Sequence, residues 1–168
     1  MSEADVEERL AERFARWRGP VAVAMSGQNL DSLVSVFRAA ARARRILVLD
    51  LYQAYVLHRL AFLSARLPQH AWAGVRVKQG HRHRRLIEAA GEDDFLADVG
   101  SSSIRIDRLA AMADRAVLLV RSYAHSVRVL QAVGAGPDTL LVWSLWRGYW
   151  DRPDRDENDP LRSWAEAS

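Results

Sequence analysis

The chain contains no cysteine. That absence excludes disulfides and any thiolate-bound metal, and it fits a reducing compartment. Lysine is nearly as scarce, with Lys78 the only one, so almost all the positive charge is arginine. Arginine grips phosphate with two parallel hydrogen bonds and stacks on bases, but arginine-for-lysine usage throughout a chain also follows from coding bias. The formal net charge is only +3, so charge by itself does not select a nucleic-acid partner. Nowhere does an apolar run reach the roughly eighteen residues needed to cross a bilayer, and the acidic start does not read as a signal peptide. These cues together point to a cytoplasmic, membrane-free protein.

What is present is a globular composition. Hydrophobic residues make up 49% of the 168 and charged residues 27%, enough apolar content to bury a sizeable core. Ser2 and Asp5 form a weak capping box ahead of Val6, Leu10, Phe14 and Trp17, which recur at helical spacing until Gly19 and Pro20 break it. Short apolar runs then alternate with amphipathic stretches. Residues 21–25, 45–50, 74–78, 116–120 and 139–143 read as strands. Helices are predicted after the first two, from Leu30 and from Tyr52 through Leu67. Further helices follow around His81 to Ala90, Ile106 to Met112 and Val127 to Val133. Residues 92–103 read as an acidic loop ending in serines, and residues 150–168 as a polar tail or link. The alternation predicts an α/β fold: a doubly wound, mostly parallel sheet of about five strands with helices on both faces, over residues 1–149.

In such sheets ligands gather beyond the carboxyl ends of the strands. Polar residues stand there: Ser26, Gly27, Gln28 and Asn29 after the first strand, Asp50 and Tyr52 after the second, Arg121 and Ser122 later, and Ser144 to Arg147 after the last. Gly27 permits a tight turn and Asn29 can cap the next helix, whose exposed N–H groups suit a phosphate. The bland alternative is that Asn29 only caps and Ser26 only ends the strand. Neither a Walker loop nor a full dinucleotide glycine fingerprint is present, which disfavours an ATP or NAD site and leaves a flavodoxin-like binder of small nucleotides as a third reading. Trp143, Trp146, Tyr149 and Trp150 beside Arg147 suit either single-stranded nucleic acid or a protein interface. His81 and His83 sit among arginines that would repel a divalent ion, and read as a solvated basic face. His58, His70 and His125 read as structural.

Three segments resemble the β-CASP domain of ribonuclease J, of the pre-mRNA 3′-end endonucleases and of their bacterial relatives. They are MSGQNLDSLV at 25–34, LVLDLYQAYVL at 47–57 and VWSLWRGY at 142–149. The first is similar to a Ser-x-Gln-Asn-hydrophobic-Asp stretch in one bacterial branch. The resemblance implies a Rossmann-like domain that caps a metallo-β-lactamase core, where two zinc ions activate water for phosphodiester hydrolysis. The His-x-His-x-Asp-His ligands of that core are missing here, with Arg85 and Leu86 in place of the aspartate and second-pair histidine. A carboxylate-bearing strand before the opening helix is missing too. The family's later Ser-Gly-His segment would follow about where the sequence stops. The expectation is therefore a noncatalytic clamp for RNA or single-stranded DNA, inactive alone, with zinc only in a separate core joined in cis or in trans. The alternative is an interaction module that pairs with a hydrolase subunit or with itself. Ser26, Gly27, Gln28, Asn29, Asp50, Tyr52, Ser122, Ser144, Trp146 and Arg147 are the candidates for substrate contact or core docking.

Overall fold

The computed structural model describes residues 3–145 and 159–168. Its elements in chain order are α1 (Glu3–Arg16), β1 (Val21–Met25), α2 (Leu30–Arg42), β2 (Ile46–Asp50), α3 (Leu51–Arg59), β3 (Val75–Lys78), α4 (His81–Ala89) and α5 (Asp93–Asp98). They continue with β4 (Ser103–Ile104), α6 (Ile106–Ala110), β5 (Ala116–Val120), α7 (Ala124–Ala132), β6 (Leu140–Ser144) and α8 (Pro160–Ala167). The six strands form one sheet in the order β4-β3-β2-β5-β1-β6, and every described pairing is parallel.

Side chains alternate across a strand, so each central strand feeds two cores. Val21, Val23 and Met25 of β1 pack with Phe14, Leu33, Val36, Leu57, Ile87 and Phe95, which come from α1 to α5. Ala22 and Ala24 face the other way, toward Leu109, Leu130 and Leu161 of α6, α7 and α8. Each fully buried leucine contributes on the order of 2 kcal/mol relative to an exposed one. The chain thus runs outward from β1 to β4 with helices on one face and returns through β5 and β6 with helices on the other. That is a doubly wound, Rossmann-like α/β fold. No described helix is long and apolar enough to cross a membrane.

Several sequence expectations are corrected. The sheet has six strands rather than about five, because β4 is only two residues long and leaves no apolar run to read. The stretch expected to be a loop over 92–103 holds α5, a 3-10 turn and β4, its hidden signal being Phe95, Leu96 and Val99, all buried. The third helix stops at Arg59, followed by a 3-10 turn over Ala61–Leu63, so the apolar spacing to Leu67 is not one helix. Residues 160–167 of the expected polar tail form α8, anchored by Leu161, which is completely buried. Ser2 of the expected capping box lies outside the described residues.

The amino-terminal edge of the sheet is closed by one cation. Arg45, only 7% exposed, donates from Nε to the Phe14 carbonyl at 2.8 Å and from Nη1 to the Gly19 carbonyl at 3.0 Å. Its Nη2 donates to the Trp17 carbonyl. These acceptors include the last carbonyls of α1, where a positive charge also complements the helix dipole. Gly19 in turn lies against the loop before β6: a Cβ there would stand 2.1 Å from the Asp138 carbonyl oxygen, which already accepts the Trp17 indole N–H at 2.9 Å. Arg45→Met keeps an unbranched apolar stem but leaves the Phe14, Gly19 and Trp17 carbonyls without their donor, the first of them buried. It is expected to cost roughly 3 kcal/mol or more of stability, read as a lowered midpoint in urea unfolding.

Candidate functional site at the carboxyl edge of the sheet

Because β5 inserts between β1 and β2, the connections leaving β1 and β2 and the one leaving β5 turn to opposite faces. A crevice opens where they part, as parallel sheets require at a change of winding direction. A cleft of about 780 Å³ lies there. Its walls include Ser26, Gly27 and Gln28 after β1, Tyr52 of α3, Arg121, Ser122 and Tyr123 after β5, and Asp159 before α8.

Asp50 organises one wall. As N-cap of α3 it accepts the Gln53 amide at 2.7 Å, and its second oxygen accepts from Arg121 Nη2 at 2.5 Å. Gln53, fixed by that turn, donates to the Gly27 carbonyl at 3.2 Å. A Cβ at Gly27 would come within 2.6 Å of Gln53 Oε1, so glycine allows this approach. Arg121 is held between two rings, 5.6 Å from the centroids of both Tyr52 and Tyr123. Those tyrosines are 44% and 61% exposed, leaving ring surface open to a ligand. On the opposite wall the Ser122 hydroxyl donates to Asp159, whose same oxygen also accepts the Leu161 and Arg162 amides at the start of α8 at 2.9 and 3.1 Å.

The structure brings Ser26, Gly27, Gln28, Tyr52 and Ser122 to the cleft. Asn29 is the α2 cap, accepting the Ser32 amide at 3.2 Å, and Asp50 sits just behind the wall. Ser144 is elsewhere, in a separate hollow with Val6, Leu10 and Ser32. Trp146 and Arg147 lie outside the described residues. The row of free N–H groups expected after β1 is corrected. The Gln28, Asn29 and Leu30 amides are taken by Ser26 Oγ, the Ser26 carbonyl and the Gln28 carbonyl. The turn offers a hydroxyl and a bare glycine edge instead. Arg121 and Tyr123 are more central than their sequence suggests, because only the strand order reveals that β5 ends between β1 and β2.

Beyond Asp50, one strand further along the sheet, Lys78 Nζ lies 3.3 Å from His125 Nε2, and the His83 ring stands 5.6 Å from Tyr52. Burial first, then neighbouring cations, holds His83 and His125 below the ordinary histidine range, while Asp50 opposes the shift in both. His125 thus stands against Lys78 at the strand ends, whereas His70 is buried, at 4% exposure. Its Nε2 faces Asp98 at 3.2 Å and its Nδ1 lies 3.4 Å from Ser102 Oγ. These are the residue types of a hydrolytic triad. Yet Ser102 is buried and its hydroxyl donates to the Val99 carbonyl at 3.1 Å, so the group ties α5 to the sheet rather than presenting a nucleophile.

Among the described residues no three His, Asp or Glu side chains converge to hold a metal ion. Comparison of the chain with family models and with curated proteins returned no match.

Two outcomes follow. Asp50→Asn removes the partner of Arg121 and weakens the α3 cap. It is expected to cost about 1–2 kcal/mol and to move the His83 and His125 titrations further down, measured by histidine NMR. Burial also pushes His70 down, against the pull of Asp98. With these three folded-state values below the unfolded one, the unfolded chain binds more protons over that interval. Stability is then full above about pH 6.5 and falls as the pH drops through it, levelling off below the folded values. Urea midpoints between about pH 7 and pH 5 check this, and His70→Gln is expected to flatten part of the slope.

Proposed function

We propose that this chain is a noncatalytic, β-CASP-like clamp that holds RNA or single-stranded DNA at the carboxyl edge of its sheet. The observation that carries the reading is Arg121 between two exposed tyrosines at the mouth of the cleft. Aromatic faces beside a guanidinium accept bases by stacking without regard to sequence, and the cation favours the backbone that links them. The hydroxyls of Ser26 and Ser122 add polar contacts along the same walls. The three segments that resemble β-CASP domains supply the family context. Two of them run into this edge, ending β1 and beginning α3. Hydrolysis would then belong to a metal-bearing core in cis or in trans.

A second reading shares the same surface. Met25, Val56, Leu145 and Pro160 put apolar groups among the polar ones, a mixture that also suits docking of a catalytic subunit. The two readings differ in salt dependence, since counterion release makes nucleic-acid affinity fall steeply as salt rises.

Fluorescence anisotropy with a labelled single-stranded RNA tests the clamp. Binding is expected at low salt and weakens with added salt. Tyr52→Ala or Tyr123→Ala is expected to lower affinity by roughly 1–3 kcal/mol for each base stacked, and Ser26→Asp lowers it by setting a negative charge in the cleft. Unchanged affinity in all three variants would falsify the placement. Incubation with zinc or manganese is expected to give no cleavage. A chelator-sensitive nuclease activity of the purified chain sinks the noncatalytic assignment.

A further inference from the structure

Beside the cleft, Lys78 at the end of β3 and His125 in the first turn of α7 meet at 3.3 Å, and His83 in the first turn of α4, with its ring against Tyr52, is near enough to interact electrostatically with both. Since α4 packs on one face of the sheet and α7 on the other, they approach from opposite sides. Lys78 and His83 both act on His125, as does Arg128, and Arg82 and Arg121 act on His83. Asp50 is the carboxylate that opposes them, and both its oxygens are already engaged by Gln53 and Arg121.

The helix starts reinforce this imbalance. Helices α2, α3 and α8 begin on the side-chain acceptors Asn29, Asp50 and Asp159. Helices α4 and α7 begin at Gly80 and Tyr123 with no side-chain acceptor and no acidic residue in the first turn. Their dipoles add positive potential beside these three side chains. A Lys78 ammonium can donate to His125 Nε2 only while that imidazole is neutral. Once it takes a proton, the two cations repel unless an acceptor comes between them. A planar carboxylate presents two oxygens. A tetrahedral oxyanion presents one to each of three donors arriving from different directions.

We propose that Lys78, His83 and His125 form a binding site for a tetrahedral oxyanion of the phosphate class, one that fills as the two histidines take up protons. The site is separate from the cleft and does not depend on the clamp reading. The sign follows from linkage. Burial and the neighbouring cations hold the empty-site histidines low, and a bound anion raises them. Affinity therefore increases as the pH falls between the bound and free values, by at most about tenfold per pH unit for each histidine that charges.

Inorganic sulfate is the probe, because its charge stays constant over this range, with chloride at matched ionic strength as the control. Histidine ring NMR is recorded on the intact chain near pH 6 and near pH 8. The expected result is that sulfate shifts His83 and His125, raises both titrations and binds at least about tenfold more tightly at the lower pH, while His58 and His81 stay in place. Lys78→Met abolishes the response and Lys78→Arg restores most of it. His125→Gln removes its share, and far-UV circular dichroism verifies the fold of each variant. A short oligodeoxythymidylate without terminal phosphate separates the sources: a response to it as well as to sulfate assigns a backbone phosphate, and a response to sulfate alone assigns a free oxyanion. The site is overturned if neither anion moves His83 and His125, if all the histidines respond alike, or if folded Lys78→Met still responds. Failure of RNA binding in the cleft with a positive sulfate titration removes the clamp and leaves this site intact.

Discussion

The carboxyl edge of this sheet depends on one carboxylate. Asp50 closes the first turn of α3 with one oxygen and holds Arg121 with the other. Through the turn it fixes Gln53, which reaches back to the Gly27 carbonyl, so the ends of β1, β2 and β5 are joined through a single residue. Through Arg121 it sets the guanidinium between Tyr52 and Tyr123. It is also the negative charge felt by Lys78, His83 and His125. At the N-cap it also gives the first amide groups and the dipole of α3 an acceptor.

The two edges of the sheet divide the work. At the amino edge, Arg45 spends its donors on backbone carbonyls and Gly19 packs tightly on the Asp138 carbonyl. That edge is sealed, and its polar groups answer one another. At the carboxyl edge, two aromatic rings stay partly open and α4, α6 and α7 start without a side-chain cap. A fold can sustain an open edge of this kind because the opposite edge and the two apolar layers carry the stability.

Most of the architecture was legible in the chain. The runs at 21–25, 45–50, 74–78, 116–120 and 139–143 correspond to strands because a strand buried on both faces leaves a continuous apolar signature. Asn29 and the polar ends of β1 and β2 were legible for the same reason, since a strand that stops must hand its chain to a polar turn. Three things were not. The two-residue β4 is shorter than any periodicity can register. Helix α8 is anchored by Leu161 and Trp164, a single apolar pair one turn apart that follows the Asp- and Arg-rich stretch 151–159 and so reads with it as a polar tail. The meeting of Arg121 with Asp50, and of Lys78 with His125, depends on strand order. Sequence adjacency places β5 far from β1 and β2, and only the return crossover that inserts it between them makes those pairs neighbours.

The bond from Ser122 to Asp159 has a consequence of its own. A hydroxyl has one proton to give, and this one is already committed to the residue that starts α8. A ligand oxygen that claims it leaves Asp159 with only the helix amides, and the first turn of α8 loses one polar tether while Leu161 still holds it from below. A ligand that takes this proton therefore competes with the helix start for it, and a firmer bond from Ser122 to Asp159 makes that one hydroxyl harder to win.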